Sequence, residues 1–358
     1  MADEWNLPKG DLMAGKRGIV MGVANDHSIA WGIAKQLAYQ GAELAFTYQG
    51  EALEKRVRPL AESIGVKLMV PADVTDDASM DKAFAEIAAK WGRLDFLVHA
   101  IAFADKSALK GSFVENTTRE AFKASMDISA YSFVDACKRA ALLMTSGGSI
   151  ITLTYQGSER VVPNYNMMGV AKAALEASTR YAARDLGPKG IRVNAVSPGP
   201  MRTLAMAGIA GGKMLMSTAR DWSLLKEDTT MEGVAGCALW LLSDLGKSVA
   251  GECIHVDGGF HAVGVPEGVE GRVPYKGSLV TILRHGAFRY HWGGDLTGTG
   301  EPGIPDVETH LVNYAGSTFY GVLGMDVVHA HHHVRATSSN ATFVAATAPL
   351  DGLSRNVV

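Results

Sequence analysis

Arg17-Gly-Ile-Val-Met-Gly-Val23 is an apolar run that leads through Ala24-Asn-Asp-His27 into Ser28-Ile-Ala-Trp-Gly32. The run predicts a buried strand over Arg17–Val23. The apolar spacing that follows predicts a helix over Ile29–Gln40, stopped by Gly41. A glycine where such a strand ends lets the backbone turn close to a pyrophosphate, and the helix start supplies amide donors and positive dipole. Gly22, Ser28 and Ile29 are therefore candidate cofactor residues. The Ser28 hydroxyl serves either a phosphate oxygen or the helix cap. The GxGxxG spacing is absent, so Gly22 and Gly32 taken alone also fit plain turn and packing roles.

Reading outward, apolar runs and amphipathic runs alternate. Strands are expected at Leu44–Thr47, Lys67–Val70, Leu94–Ala100, Ser149–Leu153, Ile191–Val196 and Cys253–Val256. Helices are expected at Glu51–Ile64, Ala78–Lys90, Thr118–Leu143, Asn164–Leu186 and Glu232–Leu242. Strands that read as continuous apolar runs, each followed by a helix, predict a parallel sheet covered on both faces. With right-handed crossovers this is an α/β, Rossmann-type doubly wound fold, with ligands at the carboxyl ends of the strands.

Composition narrows the function classes. A formal charge of -3 argues against a nucleic-acid partner. Cys137, Cys237 and Cys253 are scattered, which suits a reducing compartment and offers no zinc pattern. The first fifteen residues carry acids and no apolar core, and no apolar run is long enough for a bilayer. A cytoplasmic protein, with no membrane and no nucleic acid among its partners, is the expectation.

The second strand ends at Thr47-Tyr48-Gln49, where an acid usually binds ribose hydroxyls or a base binds a 2′-phosphate. The neutral amide of Gln49 favours NADH over NADPH, unless Lys55 or Arg56 folds back from the next helix. Asp73-Val74, after the third strand, is placed for an adenine ring; Asp73 fits a helix cap equally well. Further on, Tyr165 and Lys172 stand seven residues apart. On one helix that is two turns, about 10 Å along the axis, with both side chains on one face. A phenol and an ammonium beside a dinucleotide site suggest proton and ribose handling, whereas an isolated pair of this kind is commonly surface decoration.

The chain resembles the short-chain dehydrogenase/reductase superfamily, and within it the bacterial type II enoyl-acyl-carrier-protein reductases that use NADH. The matching segments are Gly22 to Gly32, Ala42 to Gln49, Asp127 to Phe133, Pro163 to Lys172, Pro200 to Ala205 and His255 to Phe260. They keep the family's order and spacing from about residue 8 to 263. Three features separate this group from ketone-reducing relatives. Those relatives carry Tyr-x3-Lys, whereas the residue four after Tyr165 is Gly169 and only Tyr-x6-Lys can be drawn; His99-Ala-Ile-Ala-Phe103 replaces their Asn-Asn-Ala-Gly turn, and Tyr155 stands where they usually carry a catalytic serine.

The resemblance implies hydride transfer from NADH to the β-carbon of a 2-enoyl thioester on acyl carrier protein, in fatty-acid synthesis. It implies that Tyr165 hydrogen-bonds the thioester oxygen as the enolate develops, and that Lys172 grips the nicotinamide ribose. Tyr155 would shape the acyl pocket. Ala100, Ile101, Met201 and Thr203 fall where the family holds the nicotinamide, and Ala102 falls on the substrate side. A homotetramer is implied as well. Leu204–Leu215 matches the mobile substrate-covering segment, though Gly211-Gly212-Lys213 is short and weakly basic. Lys213 and Arg220 remain candidates for docking the acidic carrier protein. The competing readings are a ketone-reducing dehydrogenase and a non-catalytic NAD-binding regulator.

The composition changes beyond Val263. That stretch holds seven of the eleven histidines, no lysine after Lys276, and only short patterned runs such as Ser278–Leu283 and Phe319–Leu323. The expected organisation is therefore a reductase domain over 1–265 and an appendage of unassigned order over 266–358. A read-through or frame error would also account for the appendage. His329-Ala-His331-His332-His333 could chelate a metal, but carboxylates are sparse around it and no metal site is expected.

Overall fold

Seven of the strands are short apolar segments that pair edge to edge: β1 (Arg17–Met21), β2 (Glu43–Tyr48), β3 (Leu68–Pro71), β4 (Phe96–His99), β5 (Gly148–Leu153), β6 (Ile191–Pro198) and β7 (Cys253–Val256). The structure is a computed structural model that describes residues 7–203, 206, 212–264, 281–285 and 288–292. The strand order is β3-β2-β1-β4-β5-β6-β7, and every pairing in this sheet is parallel. This is the expected doubly wound arrangement. The order reverses between β1 and β4, so the crevice for a ligand opens at the carboxyl ends of those two strands.

The continuous apolar character of the strands follows from covering both faces. Neighbouring residues of a strand point to opposite sides, yet both sides are dry. Val20, Phe46 and Val98 pack with Ile33 and Leu37 of α1 (Ile29–Tyr39) and with Val234 and Leu241 of α9 (Met231–Leu242). Ile19, Met21, Leu97 and Ile150 pack on the other face. Their partners are Met80 and Ile87 of α3 (Asp77–Trp91), Phe133 of α6 (Ser132–Leu143) and Leu175 of α7 (Asn166–Leu186). α2 (Gly50–Ser63) connects β2 to β3.

Some expected boundaries move. The single helix expected over Thr118–Leu143 is α5 (Arg119–Met126), a π-helical turn over Asp127–Tyr131, and then α6. An apolar period of 3.6 cannot reveal one extra residue in a turn. The short α4 (Phe113–Asn116) and α8 (Gly212–Trp222) were not expected as helices. α7 starts at Asn166 rather than Asn164, because Asn164 is left-handed with φ 62°.

The chain divides into two units after Gly264. In the second, β8 (Thr281–His285) and β9 (Phe288–Trp292) form an antiparallel pair. Most of the segment 204–211 and the histidine cluster at 329–333 lie outside the described residues.

Candidate active site

The loop after β1 is built around a close backbone approach. Gly22 has φ 100°, and a Cβ there would lie 2.2 Å from the carbonyl oxygen of Ala100, so only glycine lets β1 and β4 end side by side. Ser28 precedes α1 without capping it by its side chain. Its Oγ accepts from the backbone N–H groups of Ala24 at 3.1 Å and Asn25 at 3.0 Å and donates to Asn25 Oδ1. The hydroxyl thus fixes the turn that delivers Ile29 and the first amides of α1. The side-chain cap that the sequence offered is therefore not the bond this hydroxyl makes.

At the ends of β2 and β3, Gln49 Nε2 donates to Asp73 Oδ2 at 2.9 Å. Asp73 also accepts from the backbone N–H and hydroxyl of Thr75, and these bonds hold its carboxyl below the ordinary carboxylate range. The cap of α3 is Asp76, which accepts from Ala78 N–H, so Asp73 is not the helix cap. Val74 packs against the same apolar cluster that Ile101 packs against. Lys55 and Arg56 stay on the exposed face of α2, with Lys55 near Glu51, so neither folds back toward Gln49.

The β4 end carries a group the sequence reading passed over. His99 is fully buried, with Nε2 2.9 Å from Ser132 Oγ and Nδ1 3.1 Å from Thr152 Oγ1. Ser132 gives its own proton to Ile128 O at 2.6 Å, so Nε2–H of a neutral imidazole is the donor to Ser132. Burial, aided by the positive charge of Lys172, pulls the His99 pKa down to about 3. The π-helical turn adds Ser129, whose hydroxyl accepts from Phe103 N–H and donates to Phe103 O. Ala100, Ile101 and Ala102 are thus bracketed by two anchored residues, with Ala102 exposed.

Across the cleft, Tyr155 follows β5, and Tyr165 occupies the cap position of α7. Their rings meet edge to face, centroids 5.0 Å apart, and both side chains are buried. Burial raises both phenols, Tyr155 to about 12, so both are protonated donors at neutral pH. The Tyr155 hydroxyl is buried, and the Gln156 side chain acts on it against the effect of burial. Tyr165 sits between two asparagines with positive φ, Asn164 at 62° and Asn166 at 38°. Strained backbone of this kind concentrates at functional positions.

Two turns into α7, Lys172 Nζ donates to Leu153 O at 2.6 Å. An ammonium has three donors, so two remain for a ligand. Burial lowers the Lys172 pKa to about 8, while the Glu176 charge acts to raise it. Glu176 is itself buried and accepts from Thr154 Oγ1 at 2.6 Å and Ser158 Oγ at 2.5 Å. An acid four residues after Lys172, on a helix face otherwise buried, was the signal available in the sequence.

Gly169 closes the arrangement. A Cβ there would lie 2.6 Å from Gly157 O, and a Cβ at Gly157 would lie 2.4 Å from the Tyr165 ring. The residue four after Tyr165 therefore has no room for any side chain, and a Tyr-x3-Lys pair cannot be built on Tyr165. After β6, Met201 is buried, and Thr203 Oγ1 accepts from Met206 N–H at 3.2 Å. Lys213 is exposed on α8, whereas Arg220 is tied to Asp221 and Asp228.

A family model described as "Enoyl-(Acyl carrier protein) reductase" matches residues 22–261. The NADH enoyl-[acyl-carrier-protein] reductase 2 of Rhizobium meliloti (strain 1021) is 57% identical over 255 residues, covering 71% of this chain and 95% of the relative. The chain belongs to the enoyl-acyl-carrier-protein reductase family. The solved structure of such a reductase from Anaplasma phagocytophilum, in complex with NAD, superposes with a TM-score of 0.71 at 54% identity. It covers 73% of this chain and all (100%) of that one. The Bacillus cereus reductase, solved with NADP+ and indole naphthyridinone, matches with a TM-score of 0.70 at 48% identity, over 71% of this chain and 100% of that one. The family match ends at residue 261, and the first unit of this chain ends at Gly264.

Proposed function

We propose that this chain reduces the double bond of a trans-2-enoyl thioester carried on acyl carrier protein, with NADH, in fatty-acid elongation. The observation that carries the reading is the Tyr155–Tyr165 ring pair beside a buried Lys172 with two free donors, at the carboxyl ends of β4 and β5.

The residues present fit the dinucleotide. The amides at the start of α1, with Gly22 and Ile29, would meet the pyrophosphate, and Val74 and Asp73 would flank the adenosine. Gln49 would hold the adenosine ribose. The Asp73 carboxylate bonded to Gln49 is charged at neutral pH and would repel a 2′-phosphate, which favours NADH. Lys172, with Ala100, Ile101, Met201 and Thr203, would position the nicotinamide end. When bound, NADH supplies the hydride that reaches the substrate β-carbon.

The chain's own residues handle the charge that develops. Tyr165 keeps its proton because it is buried, so it donates to the thioester oxygen and stabilises the enolate as a preorganised contact. Lys172 fixes the ribose and adds positive charge on the same side. Tyr155 and Ala102 would border the acyl chain. Ser28 would hold the loop that brings the α1 amides to the pyrophosphate and stays among the residues placed to meet it.

The type II assignment is part of this reading: a relative made of little more than this domain is covered over 95% of its length. The reading includes a cytoplasmic homotetramer, supported by exposed apolar side chains such as Tyr131, Val134 and Tyr181 on α6, α7 and the π turn. No helix among the described residues is long and apolar enough to cross a membrane. Residues 1–265 form the reductase domain and 266–358 the appendage. The closed position at Gly169 disfavours the ketone-reducing alternative.

The test follows NADH absorbance with the full chain and crotonyl thioester. NADPH runs in parallel, and Tyr165→Phe and Lys172→Met serve as controls. NADH consumption that collapses in both controls is expected. Turnover undiminished by both substitutions would refute the assignment, and silence of the wild type would favour the NAD-binding regulator.

A further inference from the structure

Glu176 is a buried carboxylate that takes no part in the chemistry described above. Its oxygen is held by two hydroxyls from one short segment: Thr154 and Ser158 bracket the turn that carries Tyr155. The same turn contains Gly157, which lies against the Tyr165 ring and against Gly169 of α7. Glu176 also sits one helical turn beyond Lys172, the spacing at which side chains on α7 are neighbours. Its bonds run to the hydroxyls, while its charge acts on the ammonium through a dry interior.

We infer that Glu176 is a positioning residue of the reductase: it pins the Tyr155-bearing turn to α7 and supplies the countercharge that keeps Lys172 an ammonium. The inference rests on the roles given to Tyr155 and Lys172 under the proposed function. A buried ammonium bonded to one neutral carbonyl is costly, and a nearby fixed negative charge offsets that cost. A carboxylate that accepts two hydroxyl bonds is held in place without approaching the ammonium closely enough to occupy its donors. The lysine hydrogens therefore stay available to a ribose. A direct ion pair would have consumed one of them.

The groups around the pair leave this countercharge a clear task. His99 on β4 is neutral, held there by burial. Tyr155 and Tyr165 are protonated phenols. From β7, burial raises Cys253 to about 12 and lowers His255, so both are neutral between pH 7 and 9. Asp257, beyond β7, is bonded to His261 and to Gly259 N–H. Among these groups Lys172 is the one that titrates near pH 8.

The experiment compares the pH dependence of kcat/KM for wild type, Glu176→Gln and Ser158→Ala, with crotonyl thioester and NADH. Glu176→Gln keeps the shape and removes the charge. Its alkaline limb is expected to move down by about one unit, which at pH 8 cuts the protonated fraction from about a half to about a tenth, a loss of about five-fold. Ser158→Ala keeps the charge and loosens the turn. It is expected to raise KM for the thioester about five-fold, with the limb unmoved and KM for NADH little changed. An unmoved limb in folded Glu176→Gln overturns the inference. If that variant is recovered only unfolded, an unchanged thioester KM in Ser158→Ala overturns it instead. Lys172→Met separates this failure from that of the underlying reading: full activity there refutes the role of Lys172 itself.

Discussion

Replacing glycine by alanine at two helical positions should change stability in opposite directions. Gly236, on the exposed face of α9, has open space where a Cβ would go, with nothing within 4 Å. Alanine there removes the entropy cost of a helical glycine and should stabilise by about 1 kcal/mol. For a domain of this size that raises Tm by about 2–4 °C. At Gly169 the same gain is available, but the new methyl lies 2.6 Å from the backbone oxygen of Gly157. Backbone cannot rotate away as a long side chain can, so overpacking should cost about 1–3 kcal/mol. The helix term cancels between the two variants, and their difference isolates the contact at about 2 kcal/mol. Thermal unfolding of both variants reads this difference directly. The displaced turn also carries Tyr155, so Gly169→Ala should lose at least ten-fold in kcat/KM while Gly236→Ala keeps wild-type kinetics. A Gly169→Ala protein as stable and as active as Gly236→Ala would refute the claim that the helix and turn are in unyielding contact.

Tyr155→Phe removes a buried hydroxyl that has only the Gln156 side chain acting on it, so Tm should change by no more than about 1 kcal/mol's worth while KM for the enoyl thioester increases; an unchanged KM would place the acyl chain away from Tyr155. His99→Leu breaks the links to Ser132 and Thr152 and should cost about 1–3 kcal/mol, measured as a lower Tm; wild-type activity should show no His99 limb between pH 5 and 8, since that imidazole stays neutral down to about 3. Gln49→Arg introduces a cation where the amide meets Asp73, and the NADPH-to-NADH ratio of kcat/KM should rise about ten-fold, near 1.4 kcal/mol. An unchanged ratio would place the adenosine ribose away from Gln49.

The sheet was legible because its central strands are buried on both faces and so read as short apolar runs, as in Ile19–Met21 and Phe96–Val98. Tyr165 and Lys172 could be paired because seven residues on a helix fix their relation before any tertiary contact is known. What the sequence hid was long-range. Gly169 reads as an ordinary small residue until Gly157 lies against it, and Ser28 reads as a cap until its oxygen turns back to Ala24 and Asn25. His99 looked like a turn variant, because its partners Ser132 and Thr152 are 33 and 53 residues away. The strained backbone at Asn164 and Asn166 follows from the packing around Tyr165, which no local pattern encodes.

The π-helical turn makes the site sensitive to counting rather than to composition. Asp127–Tyr131 carries one residue more than an α-helical turn would hold, and that surplus places Ser129 against Phe103 and Ser132 against His99 together. Removing any one residue from the stretch would relax it to ordinary α-helix. Every earlier side chain would then rotate by about 100° relative to those after it. Ser129 and Ser132 could no longer reach the two ends of the Ala100–Ala102 loop at once. Single substitutions across this turn should be absorbed more readily than a one-residue deletion anywhere within it, so the length of the segment is under tighter physical control than its spelling.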